Sequence, residues 1–198
     1  MAGIIDCFLH WQIEPDSDET LRTADAILCH EFGDQQRISE TTRQIVLLGV
    51  ECAKTFGKPE STDRLPLICQ YPDDTVAREF GIDPECVIRE HLLKPGKYLD
   101  TEEVNRQAAE VCARHGWKRV ILCTHPHHLW RATRNLKRHG ITPLIPDTST
   151  IWYDPLCSRR VLSGPFTLAR IPMAPYICFG FVQWELMSRV AYFKNHLI

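Results

Sequence analysis

The stretch Val120-Ile-Leu-Cys-Thr-His-Pro-His-His-Leu-Trp-Arg-Ala132 constrains this chain more than any other. Its first half is a short apolar run. Its second half opens on a polar residue, then Pro126, then a pattern that only a helix continues, so a strand feeds a helix. Pro126 suits the first helical position, where its missing N–H costs nothing, with Thr124 or His125 as the cap. Leu129, Ala132, Thr133, Leu136 and Gly140 fall on one helical stripe, and Arg131, Arg134 and Arg138 on another. The donors and the positive dipole end of this helix then lie at the carboxyl end of the strand, beside Thr124, His125, His127 and His128. Such a place favours anions.

The rest of the chain repeats the alternation. Ala24 to Cys29 reads as a first core strand that runs into His30-Glu-Phe-Gly33. From Ser39, the residues Ile45, Leu48, Gly49, Cys52, Ala53 and Phe56 keep helical spacing until Gly57 and Pro59 stop the helix. Leu65 to Cys69 is a second strand, with Pro66 tolerated at its start and Gln70 to Asp74 as its exit loop. A short helix over 75–80 closes at Gly81, and Cys86 to Arg89 is a brief third strand leading into Glu90. Asp100 and Glu103 have capping-box spacing. Val104, Ala108, Val111, Cys112 and His115 then share one face before Gly116, and Thr142 to Ile145 makes the fifth strand. Ile4 to Ile13 fits a short helix or a strand, and the acidic 16–19 segment a turn or loop.

Strands alternating with helices at this spacing require crossover connections. The expected fold is α/β, a Rossmann-like three-layer sandwich around a mostly parallel sheet of about five strands. A single domain is expected over residues 1–198, with its core over about 24–147, a lid beginning at Ile151 and running to Arg170, and a C-terminal helix through Trp184, Leu186 and Tyr192 as cover. Ligands of such sheets bind outside the carboxyl ends of the strands. That rule gathers His30, Glu31, Gln70, Asp73, Glu90, Thr101, Glu103, Thr124, His125, His128 and 146–148 at one mouth.

Composition narrows the function classes. A net charge of −2 and 44% hydrophobic residues describe an ordinary globular chain and argue against a nucleic-acid partner held by long-range electrostatics. The nine cysteines stand singly, without C-x-x-C pairs, and read as small buried hydrophobes in a reducing compartment. The apolar region from Ile171 to Phe193 is interrupted by prolines and charges, so no membrane span is expected, and nor is a signal peptide. The expectation is a soluble cytoplasmic protein whose partner is a small-molecule ligand; oligomeric state is left open.

The residues resemble the ElyC/SanA/YdcF family, in its soluble YdcF-type branch, from about Ala24 to Asp147, with a weaker echo over 185–192. The most specific piece is strand-Thr-x-x-x-His-x-x-Arg-Ala, present as Thr124, His128, Arg131 and Ala132. A second is Glu90 followed by Asp100-Thr-Glu-Glu-Val104, with Asp100 and Val104 where the family usually has asparagine. The family's Gly-rich end of the first strand is altered, being Cys29-His-Glu-Phe-Gly33. The resemblance implies a Rossmann-like fold with a site at the strand ends, and S-adenosylmethionine binding has been associated with the YdcF branch.

Three functional classes remain open. The first is a small enzyme catalysing hydrolysis or group transfer on an anionic or nucleotide-like molecule, with His128 and Glu90 or Glu103 as acid and base and Arg131 and Thr124 as anchors. His30, Glu31, Asp73, Thr101 and His125 would complete its binding set. The second is a module that binds S-adenosylmethionine or a nucleotide without turnover. The third is a metal-dependent hydrolase using the histidine cluster, although His127 and His128, adjacent on a helix, diverge and do not easily share an ion. Several of these residues also have a structural alternative: Glu103 as a cap, Thr101 and Thr124 as caps, His125 and His127 as loop and helix-surface residues, and His128 with Arg131 as a tie between strand-end loops.

Overall fold

The computed structural model describes residues 13–31, 38–57, 64–97 and 99–152. The elements are α1 (Asp18–Leu21), β1 (Ala26–Cys29), α2 (Glu40–Thr55), β2 (Leu67–Gln70), α3 (Asp73–Glu79), β3 (Cys86–Ile88), α4 (Thr101–His115), β4 (Arg119–Cys123), α5 (Pro126–Arg138) and β5 (Thr142–Leu144). The lid and cover anticipated after Ile151 and the segment over 4–12 lie outside the described residues.

The five strands form one parallel sheet in the order β3-β2-β1-β4-β5. The fold class expected from the sequence is therefore the one observed. Alternation along the strands sorts side chains to two faces. Ile27, Cys29, Leu67, Cys69, Ile121, Cys123 and Leu144 join the core beneath α2 and α3, and Ala26, Leu28, Ile68, Val120 and Leu122 the core beneath α4 and α5. Both faces are covered, which is why the central strands read as unbroken apolar runs. The order reverses between β1 and β4, and the crevice of such a sheet opens at that switch point.

Element boundaries shift for local reasons. Asp25, expected inside β1, instead accepts the backbone N–H groups of Lys118 and Arg119 at 2.8 and 2.9 Å, tying the entry of β4 to that of β1. Pro66 stays outside β2, where its carbonyl accepts from Ile27, while Gln70, expected in the exit loop, belongs to the strand. The helix expected from Thr75 begins at Asp73, placing two aspartates in its first turn, where the dipole favours negative charge. Ser17 caps a short helix over the acidic segment expected as a turn or loop. His115, expected on the apolar face of α4, is turned outward, stacks on Trp117 and faces Glu85 at 3.4 Å. Gly116 ends that helix at φ 72°, a left-handed conformation that glycine adopts without strain.

One close approach sets the α2 side. A Cβ on Gly49 would stand 2.3 Å from the Cys29 sulfur, so the helix lies against β1 at a distance only glycine permits. The described cysteines, Cys29, Cys52, Cys69, Cys86, Cys112 and Cys123, are free thiols. Burial holds Cys112 up at about 11. Such thiols pack as small hydrophobes.

Candidate functional site

The carboxyl ends of β1, β2 and β4 are stitched together by side chains. The His30 N–H continues the β1–β4 ladder to the Cys123 carbonyl at 2.9 Å, and the Thr124 hydroxyl donates back to the His30 carbonyl at 3.0 Å. On the other flank the Glu31 N–H donates to the Gln70 side-chain oxygen at 2.8 Å. Three strand exits become one rim, with His30, Glu31, Gln70, Thr124 and His125 all buried on it.

Helix α5 starts on this rim with Pro126 at its first position, directly after His125. This places His128 in the first turn and Arg131 one turn further on. An Arg131 guanidinium N–H donates to His128 Nδ1 at 2.8 Å. Guanidinium has no acceptor, so Nδ1 carries the lone pair and the proton resides on Nε2. That Nε2–H faces the Thr101 hydroxyl at 3.4 Å, at the start of α4. Burial, then the Arg131 charge, then His125, push the His128 pKa well below the usual imidazole value, so the ring is neutral.

The His30 ring lies 4.6 Å, centre to centre, from that of His128, tilted at 59°. Its Nδ1 is 3.4 Å from the Glu31 carbonyl, and its Nε2, in a residue 3% exposed, has no hydrogen-bond partner among the described residues. Burial, reinforced by His128, also drives this imidazole well below its ordinary pKa. Two neutral, buried histidines therefore sit side by side at the switch point, with Arg131 behind one of them.

The two glutamates expected as acid and base are placed differently. Glu103 is buried and engaged: its carboxylate accepts from Arg106 Nε and Nη2 at 2.7 Å each, from Gln107 at 2.8 Å and from the Leu92 N–H at 3.0 Å, while His91 lies 3.6 Å away. Arg106, the strongest influence, holds its pKa down at about 2. Asp100 caps the Glu103 N–H at 2.9 Å, but Glu103 turns to Leu92 and so pins the loop before α4. The signal for this role was local, since Arg106 and Gln107 are the i+3 and i+4 neighbours on one helical face. The Glu90 side chain is exposed, and its carbonyl accepts from Gln107 at 2.8 Å.

A separate group of carboxylates lies on the α2 side of the rim. Asp74 is paired with Arg78 at 2.5 Å and, more distantly, with Arg89 at 3.7 Å. Asp73 is 0% exposed, and neither of its oxygens has a hydrogen-bond partner among the described residues. Burial above all, then the charge of Glu31, raises its pKa well above the carboxylate range, with Cys69 and Asp74 adding to it. Among the described residues no three His, Cys, Asp or Glu side chains come together as a metal cage.

Each of the three arginines of the stripe has a contact. Arg131 serves His128, Arg134 lies 5.0 Å from the centre of the Trp130 ring, and Arg138 reaches Glu102 at 3.6 Å. Among the described residues no helix is long and apolar enough to cross a membrane. Comparison of the chain with family models, curated proteins and solved structures found no match.

Proposed function

We propose that the chain is a small enzyme that binds an anionic or nucleotide-like molecule at the carboxyl ends of β1 and β4 and acts on it by hydrolysis or group transfer. The observation that carries this reading is the pair of neutral, buried imidazoles at the start of α5, with Arg131 fixing the tautomer of one. Membership of the ElyC/SanA/YdcF family belongs to the same proposal and rests on Thr124, His128, Arg131 and Ala132.

The roles follow from protonation. His128 presents Nε2–H and, neutral with its lone pair held by Arg131, acts as a hydrogen-bond donor to a developing negative oxygen, not as a base. Arg131 and the positive end of α5 add charge to the same seat. With Nδ1–H directed at the Glu31 carbonyl, His30 keeps its lone pair on Nε2 and is the proton acceptor for an attacking water or hydroxyl. Thr101 is the ligand-side hydroxyl that shares the His128 proton, and Thr124 holds the rim that carries His30. Glu103 orients the loop before α4 and moves no proton.

The test combines binding and turnover. Titration of isotopically labelled protein with inorganic phosphate, adenosine monophosphate and S-adenosylmethionine should shift the His128, Arg131 and Thr101 resonances. His128→Ala should weaken binding, and His30→Ala should leave binding while removing product formation. Absence of any shift at these three residues ends the reading. A second reading, ligand carriage without turnover, is favoured by one observation: the Glu103 carboxylate is fully engaged in structure. Binding by wild type with no product from any of the three ligands selects it.

A further inference from the structure

Asp73 is an anomaly in this fold. A buried carboxyl group with no hydrogen-bond partner costs several kcal/mol in principle, and native structures seldom leave one. Its neighbour Asp74 shows the ordinary solution, an ion pair with Arg78. Asp73 has none among the described residues, and the charge that weighs on it most after burial is another carboxylate, that of Glu31. Both groups stand at the strand exits, Asp73 just after β2 and Glu31 just after β1. Glu31 follows directly on His30, the residue placed against His128.

We propose that Asp73 and Glu31 hold a divalent cation of the magnesium type, which completes its coordination with water and with oxygens of the ligand seated at the start of α5. The bridging role rests on the anion-site reading above. A hard oxygen-ligated ion suits the donor set: one or two carboxylates are enough for magnesium, which keeps several waters and takes ligand phosphates as the remaining partners, whereas protein zinc sites ordinarily use three or four protein ligands drawn largely from Cys and His. The two sides of the rim are then complementary. Arg131 and His128 meet the negative charge of the ligand on one side, and the cation on Asp73 and Glu31 meets it on the other.

The experiment uses Mn2+ as the probe, read by electron paramagnetic resonance and calorimetry on the full chain stripped with EDTA. One Mn2+ per chain is expected to bind below ~1 mM, within the range of weak carboxylate sites. Asp73→Asn should weaken binding roughly tenfold or more, since even groups behind metal ligands count for that much. In metal-free buffer the same variant should unfold no earlier than wild type, because it removes an unpartnered carboxyl without changing shape. Should Asp73→Asn fail to fold, Glu31→Gln makes the same test from the other carboxylate. No Mn2+ binding by wild type, with or without phosphate, overturns the proposal, and so does unchanged binding in the folded variant. Phosphate binding by a chain that binds no Mn2+ removes the cation site and leaves the anion seat. Mn2+ binding by a chain that binds no phosphate leaves the cation site and removes the anion seat, and Mn2+ binding that bound phosphate does not tighten overturns the bridging role.

Discussion

At the scale of single residues, protonation decides what the site can do. His128 is neutral in the fold because it is buried beside Arg131, while in the unfolded chain it titrates near the ordinary 6.5. Its folded pKa is the lower one, so the unfolded state binds the extra proton as pH falls below that value, and stability is lost in that direction. The loss is up to about 1.4 kcal/mol per pH unit for one group. Urea unfolding at pH 7.5 and pH 5.5 should therefore show a smaller drop for His128→Gln than for wild type; parallel behaviour of the two would place the ring in solvent. Glu103 is charged where His128 is neutral, yet the sign is the same: held at about 2, it contributes stability above the usual carboxylate range that fades as pH falls towards that value. Glu103→Ala removes the acceptor of the Leu92 N–H and of Arg106 Nε and Nη2, leaving Arg106 only its contact to Glu110, and should cost about 2 kcal/mol. A loss under 1 kcal/mol would show that Arg106 finds solvent instead.

At the scale of elements, the α2–β1 contact is the tightest constraint. Alanine at position 49 gains up to about 1 kcal/mol of helix propensity, yet its Cβ meets the Cys29 sulfur, and overpacking costs about 1–3 kcal/mol. Gly49→Ala is expected to lower the denaturant midpoint, and Cys29→Ala to restore much of the loss when combined with it, a non-additivity that a double-mutant cycle measures. Additive losses would mean that the sulfur turns aside freely. The Asp25 clamp is the corresponding device at the amino ends of the same central strands. Asp25→Ala leaves two N–H groups at the entry of β4 and should cost about 2 kcal/mol, visible as faster exchange of the Lys118 and Arg119 amides.

At the scale of the whole molecule, stability is graded across the sheet. β1 lies in the middle with β2 and β4 on either side, whereas β3 and β5 are three-residue edge strands, the latter containing Pro143. Hydrogen exchange should accordingly find the slowest amides in β1 and β4 and faster ones in β3 and β5. Equal protection across all five strands would argue that the edges are covered by residues beyond 152. The site is built on the interior strands β1, β2 and β4, which suits a constellation that must hold two rings and a guanidinium in fixed register.

Much of this was written in local sequence. The strand-to-helix turn, the place of Pro126, the His128–Arg131 spacing and the caps at Ser39 and Asp100 all involve residues within four positions of one another, where backbone geometry alone dictates who meets whom. The alternation of elements likewise implied parallel crossovers and so a site at the strand ends. Tertiary structure decided the rest, because it depends on which strands become neighbours and on what burial removes from water. Placing β4 against β1 brings His30 to His128 across nearly a hundred residues of chain. Packing alone engages Glu103 with Leu92, leaves Glu90 in solvent and buries Asp73 with no hydrogen-bond partner among the described residues. Sequence determined which side chains reach the rim; the dielectric and the company they find there determined which of them carry a charge.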